Sequence, residues 1–160
     1  MNGRSIKIFL IDGTSTGLRT AEIGLSTIKA LVIPRASIPN VLKRPEPQKT
    51  GVYILVGPDM DQLDQKMIYI GEGDTIITRL NAHDKDESKD FWEEAILFVS
   101  KDENLTKSHV RYLEARLISL AKEAKRATVK NATAPSQQGK IPEADEFEME
   151  EFIIQARLLL

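Results

Sequence analysis

The sequence predicts an α/β domain of the α+β kind, a small three-stranded antiparallel sheet flanked by helices and preceded by a β-containing N-terminal extension. Three observations predict it. Two apolar runs separated by a Gly-Pro-Asp turn, Gly51–Val56 and Lys66–Gly71, form a hairpin with a long tip. A third run, Ala95–Val99, is short and rich in branched and aromatic residues, as a strand requires. Between and after these runs apolar residues repeat at helical spacing, with Ile76, Ile77 and Leu80 in one stretch and Val110, Leu113, Leu117, Leu120 and Ala121 in a longer one.

In chain order, Ile6–Ile11 reads as a strand that stops at the Asp12-Gly13 turn signal, and Thr27–Ile33 is a second extended stretch ending at Pro34. Pro39, Pro45 and Pro47 follow, so this part looks like a tether, and residues 1–49 are read as an attachment. In the hairpin, alternation turns Val52, Ile54 and Val56 one way and Tyr53 the other. Tyr69 likewise faces away from Ile68 and Ile70, so both phenols belong to one sheet surface. Asp74 is a candidate N-cap for the first helix, and Arg79 and His83, four apart, share a side of it. The alternating charges of Asp84–Asp90 read as a solvated loop. Thr106 is the candidate N-cap of the long helix, and Glu114 falls inside its apolar stripe, where an uncompensated carboxylate is costly. His109, well round the helix from Glu114, is structural. Ser136–Gly139 has linker composition, and an acidic helix over 143–160 puts Phe147, Phe152, Ala156 and Leu159 on one face. The organisation expected is thus an extension over 1–49, a catalytic domain over 50–135, and a linker with a closing helix over 136–160.

Composition narrows the function classes. Among 160 residues, 22 Lys+Arg stand against 24 Asp+Glu, a formal net charge of -2, so contact with a polyanion has to be local. With 0 cysteines there are no disulfides, thiolate nucleophiles or thiolate zinc sites. No stretch approaches membrane-spanning length, and a cytoplasmic protein is the expectation.

The motifs Gly51-Val52-Tyr53 and Tyr69-Ile70-Gly71, followed in order by Arg79, His83, Glu114 and Asn131, resemble the GIY-YIG family of endonucleases. The resemblance runs from about Thr50 to about Asn131, and valine replaces isoleucine in the first motif. It implies the GIY-YIG type of fold and a Mg²⁺- or Mn²⁺-dependent endonuclease that hydrolyses DNA phosphodiester bonds. The implied catalytic set is Tyr53, Tyr69, Arg79, His83 and Glu114. Glu114 would be the single protein ligand of a hard cation, and Arg79 a fork of donors for phosphate oxygens. Tyr53 or Tyr69 would take a proton from water if nearby positive charge lowered its pKa, with His83 sharing that proton. Asn131 would hold the active-site loop or a phosphate, and Lys122, Lys125 and Arg126 would meet the DNA backbone.

Other readings compete. Each tyrosine alone is an ordinary strand residue, Arg79 an ordinary surface arginine, and Glu114 a partner for Arg111 or Arg116. Gly71-Glu72-Gly73 invites a dinucleotide-binding reading, but Ile76 stands where a third glycine belongs. Glu72 adds negative charge where a phosphate would arrive, so it either turns outward or lowers activity. The alternative function is a catalytically weak nucleic-acid-binding or assembly module.

Overall fold

The computed structural model describes residues 3–131 and 141–160. The linker over 136–139 lies outside the described residues. Strands β1 (Ile6–Leu10), β2 (Arg19–Ile23), β3 (Ile28–Pro34), β4 (Gly51–Pro58), β5 (Lys66–Gly73), β6 (Glu94–Ser100) and β7 (Thr128–Val129) form one sheet in the order β1-β2-β3-β6-β4-β5-β7. Every neighbouring pair is antiparallel except β5–β7, which is parallel.

The expected three-stranded antiparallel sheet is therefore corrected to a seven-stranded mixed one, and a GIY-YIG type of fold is not what the architecture shows. The reason lies in β3. Its apolar residues pair with the whole of β6, from Ile28 opposite Ser100 to Pro34 opposite Glu94, so the N-terminal strands continue the sheet instead of standing apart from it. β2 went unseen in the sequence because Arg-Thr-Ala-Glu-Ile carries only one large apolar residue, Ile23.

The proline-containing stretch after β3 packs instead of tethering. It forms 3₁₀ turns over Arg35–Val41 and Glu46–Gln48, with Ile38 and Val41 buried. The buried carboxylate of Glu46 is gripped by Lys29 of β3 at 3.0 Å and by Arg44 at 2.9 Å. Burial raises its pKa, but the hydrogen bonds from Arg44 and Lys29 outweigh that and leave it below the usual value.

Strand alternation sorts the core onto two faces. Val52, Ile54, Ile70 and Phe98 lie under helices α2 (Lys107–Ala124) and α3 (Glu143–Leu159). Tyr53, Leu55, Leu97 and Val99 lie on the other face with α1 (Ile76–Lys85) and the 3₁₀ turns. Thr106 caps α2 by accepting the His109 N–H, and His109 Nδ1 accepts the Thr106 N–H in return, which accounts for that histidine structurally. The residue at the N-cap of α1 is Thr75, one position beyond Asp74. In α3 the buried side is Met149, Phe152, Ile153 and Ala156, whereas Phe147 is 72% exposed. Five residues separate Phe147 from Phe152, too far round a helix for one stripe.

Candidate active site

β4 and β5 pair with Tyr53 opposite Gly71 and Leu55 opposite Tyr69, so both phenols do occupy the α1 face. α1 crosses that face and lowers His83 between them. The Tyr53 hydroxyl and His83 Nε2 are 2.6 Å apart, and the rings of Tyr69 and His83 meet edge-on with centroids 5.2 Å apart. Gly71 makes the arrangement possible, because a Cβ there would lie 2.3 Å from the Tyr53 hydroxyl. One turn before His83, the stem of Arg79 runs over Gly73, where an added Cβ would be 3.0 Å from the arginine Cγ. The Arg79 side chain is exposed beyond that point.

Protonation within the Tyr53–His83 pair follows from burial. Tyr53 is 2% exposed, and desolvation, reinforced by the neighbouring Tyr69, holds its pKa far above the ordinary phenol value. This reverses the expectation that nearby cations lower it: the Arg79 charge acts in that direction but is outweighed. Desolvation, with the Lys89 charge, pushes His83 down to about 4. At neutral pH the phenol is thus the donor and neutral His83 accepts at Nε2, which leaves its proton on Nδ1.

Glu114 approaches from the opposite face. In β5, Ile68 and Ile70 turn their backbone groups away from β4: Lys130 N–H donates to the Ile68 carbonyl at 2.8 Å, and the Asn131 side-chain amide takes both backbone groups of Ile70. Asn131 Oδ1 accepts the Ile70 N–H at 3.0 Å while its Nδ2 donates to the Ile70 carbonyl at 2.8 Å. By the same alternation the Glu72 N–H points out of the sheet edge towards the Glu114 carboxylate and favours its charged form. The catalytic candidates therefore reach one stretch of β5 from its two sides, with Tyr53, Tyr69, His83 and Arg79 on one and Glu114 on the other. They are close enough to act on each other electrostatically, since Tyr69, Arg79, Glu114 and Glu72 all bear on Tyr53.

Burial, followed by the charge of Glu72, raises Glu114 to about 7. Arg116 does not neutralise it, being engaged by Glu150 at 2.9 Å. Glu72 does not turn outward; it is half-buried on the α2 side, as alternation with Ile70 dictates. The two carboxylates share a semi-dry edge with Arg79 as the nearby cation, and such hard oxygen donors fit a divalent cation that draws its other ligands from water and phosphate. No group of three or more His, Asp or Glu side chains suited to a metal occurs among the described residues.

Asn131 spends both amide atoms on the backbone of Ile70 in β5. Lys122, Lys125 and Arg126 are exposed at the far end of α2, where Lys122 is about 12 Å of helix rise beyond Glu114. The cation over a tyrosine ring is another, Lys89. Lys89 Nζ lies 4.9 Å from the Tyr69 ring centroid, and Lys130 Nζ lies 5.7 Å from that of Phe91. Sequence reasoning placed Lys89 in a solvated charge run, and nothing local distinguishes it from its neighbours. Glu72 was legible as a charge beside the motif but not as a neighbour of Glu114.

No described helix is long and apolar enough to cross a membrane. Compared with models of protein families, with characterised proteins and with solved structures, the chain matched none.

Proposed function

We propose that the chain is a divalent-metal-dependent endonuclease that hydrolyses DNA phosphodiester bonds, acting in the cytoplasm, in line with its resemblance to the GIY-YIG endonucleases. One observation carries the reading: a Tyr53–His83 proton pair, Tyr69 and the Arg79 guanidinium from one side and the buried Glu114 from the other meet the same stretch of β5, Tyr69–Gly73. Burial raises the Glu114 carboxyl to about 7, and a perturbed carboxyl beside a cation at a strand edge is what a catalytic site requires.

Arg79 binds the non-bridging oxygens of the scissile phosphate through its planar fork. Tyr53 takes the proton of the attacking water as its own proton passes to His83 Nε2, so the relay leaves hydroxide on phosphorus and an imidazolium behind. The negative phosphate stabilises that imidazolium, which burial otherwise disfavours. Tyr69, at the open side of His83, gives its proton to the leaving oxygen. Glu114 would hold Mg²⁺ or Mn²⁺, which would supply Lewis-acid stabilisation of the charge developing on phosphate.

Relaxation of supercoiled plasmid in Mg²⁺ or Mn²⁺ tests this. The expected outcome is nicking by the native chain and loss of at least about 100-fold in Glu114→Gln and in Tyr53→Phe, the size of a lost acid–base or electrostatic contribution. Equal rates in the native chain and Glu114→Gln would defeat the proposal. Glu72 favours a second reading, a nucleic-acid-binding module that cuts weakly, because its charge opposes an incoming phosphate. Glu72→Gln separates the two: faster cutting places Glu72 as a brake on a nuclease, while tighter DNA binding with no cutting supports the module.

A further inference from the structure

We infer that Lys89 and Lys130 extend the candidate active site as a backbone track, which holds the two DNA phosphates next to the scissile one and lays the cut strand along β5. The ligand, a DNA backbone, rests on the nuclease reading; the placement of the two lysines does not.

Register puts both lysines beside Tyr69. β7 runs along the outer side of β5 with Ile68 opposite Val129, and the Lys130 N–H donates to the Ile68 carbonyl at 2.8 Å. Val129 packs with Ile68 on the α2 side, so Lys130, the next residue, turns to the α1 side with Tyr69. There its ammonium lies 5.7 Å from the centroid of Phe91. Phe91 crosses the sheet over Gly57, where an added Cβ would strike the Phe91 carbonyl. Gly57 pairs with Met67, one side-chain row beyond Tyr69 on the same face. Lys89 arrives from the 3₁₀ turn Glu87–Lys89 and sets its ammonium 4.9 Å from the Tyr69 centroid. Three cations thus follow one another along one face of β5: Arg79 over Gly73, Lys89 over Tyr69, and Lys130 a row further, by Phe91. From Gly73 to Met67 is about 20 Å of strand, long enough for several consecutive phosphates of one DNA strand.

Charge and ordering fit a polyanion. Lys130 makes no ion pair among the described residues. Lys89 is paired with Asp86 at 3.1 Å, but Asp86 also accepts from Ser88, and at His83 the charge of Lys89 outweighs that of Asp86. Asp84 and Asp90, nearby in the chain, are engaged by Arg35. Glu72 and Glu114 lie on the α2 side of β5, away from this row. Each lysine rests against an aromatic ring, so its ammonium is already placed when a phosphate arrives. The row leaves the site on the side of Tyr69, which protonates the leaving oxygen, so the track takes the leaving part of the strand.

Fluorescence anisotropy of a labelled duplex oligonucleotide over a salt series, with no metal added so that nothing is cut, tests the track. Lys89→Gln and Lys130→Gln keep much of each stem over its ring and remove the charge. Each is expected to lower the steepness of log Kd against log salt concentration by about 1, and the double variant by about 2. Lys89→Arg and Lys130→Arg are expected to keep the native slope, and so is the control pair Lys122→Gln with Lys125→Gln at the far end of α2. In Mg²⁺ the double variant is expected to need on the order of tenfold more DNA for half-maximal cutting, with a smaller change in the saturated rate. A native slope retained by the double variant, an equal fall in the control pair, or a native chain that binds no DNA would each overturn the inference. Native protein that binds with the expected slopes but never cuts retires the nuclease reading and leaves the track standing. Native protein that cuts while the double variant keeps the native slope retires the track alone.

Discussion

At the scale of the residue, Glu114 and His83 give the fold opposite responses to pH. Glu114 has a folded pKa of about 7 against an ordinary 4.5. Between those values the folded chain holds a proton that the unfolded chain has released, so its contribution to stability falls as pH rises through that window and stays lost above it. Glu114→Gln should therefore stabilise the protein at pH 8, by on the order of 1–2 kcal/mol after allowance for solvent screening, and change little at pH 4.5. Thermal melts at the two pH values check this, and a variant less stable at pH 8 would contradict the uncompensated carboxylate. His83 has a folded pKa of about 4, below its ordinary 6.5. Its contribution is intact above 6.5 and drains away as pH falls towards 4, because the unfolded chain then binds the proton more readily. Gly71→Ala acts through this same pair: its Cβ cannot share space with the Tyr53 hydroxyl, so the phenol must leave His83. The expected result is a loss of cleavage similar to that of Tyr53→Phe, together with a loss of stability of about 1–3 kcal/mol for the buried polar groups left unpaired.

At the scale of the element, the strands and helices whose apolar spacing is strong were legible in the sequence, and the edge that joins them was not. β4, β5 and β6 announce themselves by branched residues in short runs, and α2 by a cap and an apolar stripe. The shared face of Tyr53 and Tyr69 follows from alternation alone. What alternation cannot supply is which strands become neighbours, so the pairing of β3 with β6 stayed hidden although β3 itself was visible. The same limit hid Glu72 beside Glu114 and Lys89 beside Tyr69, since each contact links segments that only the folded chain brings together. Asn131 illustrates the difference: its position was legible, but its two-armed hold on Ile70 depends on β5 having a free edge there. Asn131→Ala should cost about 1–3 kcal/mol by stripping both bonds from half-buried backbone, and Asn131→Asp should recover only the bond from the Ile70 N–H. Hydrogen exchange at the Ile70 amide reads this directly, with faster exchange in the alanine variant than in the aspartate one.

At the scale of the whole molecule, the N-terminal strands differ sharply in what they hold, and truncation should expose the difference. Residues of β1 are exposed, so a chain begun after β1 gives up little buried surface and leaves β2 as the new edge. β3 is another matter, because Ile28, Leu31 and Ile33 are fully buried, and its partner strand β6 carries Leu97 and Phe98 on the two core faces. At roughly 1.5–3 kcal/mol for each large side chain, losing those three together with Ile23 removes on the order of 6–12 kcal/mol, comparable to the whole stability of a domain. It also strips Lys29 from the buried Glu46 carboxylate and opens the ladder of β6 to solvent. A chain starting at residue 12 should fold with a melting temperature within a few degrees of the full protein, whereas one starting at residue 50, where the motif residues begin, should be unfolded or insoluble. Far-ultraviolet circular dichroism with soluble yield distinguishes the two outcomes. A well-folded chain from residue 50 onward would mean that β6 tolerates a bare edge and that the seven strands are not one cooperative unit.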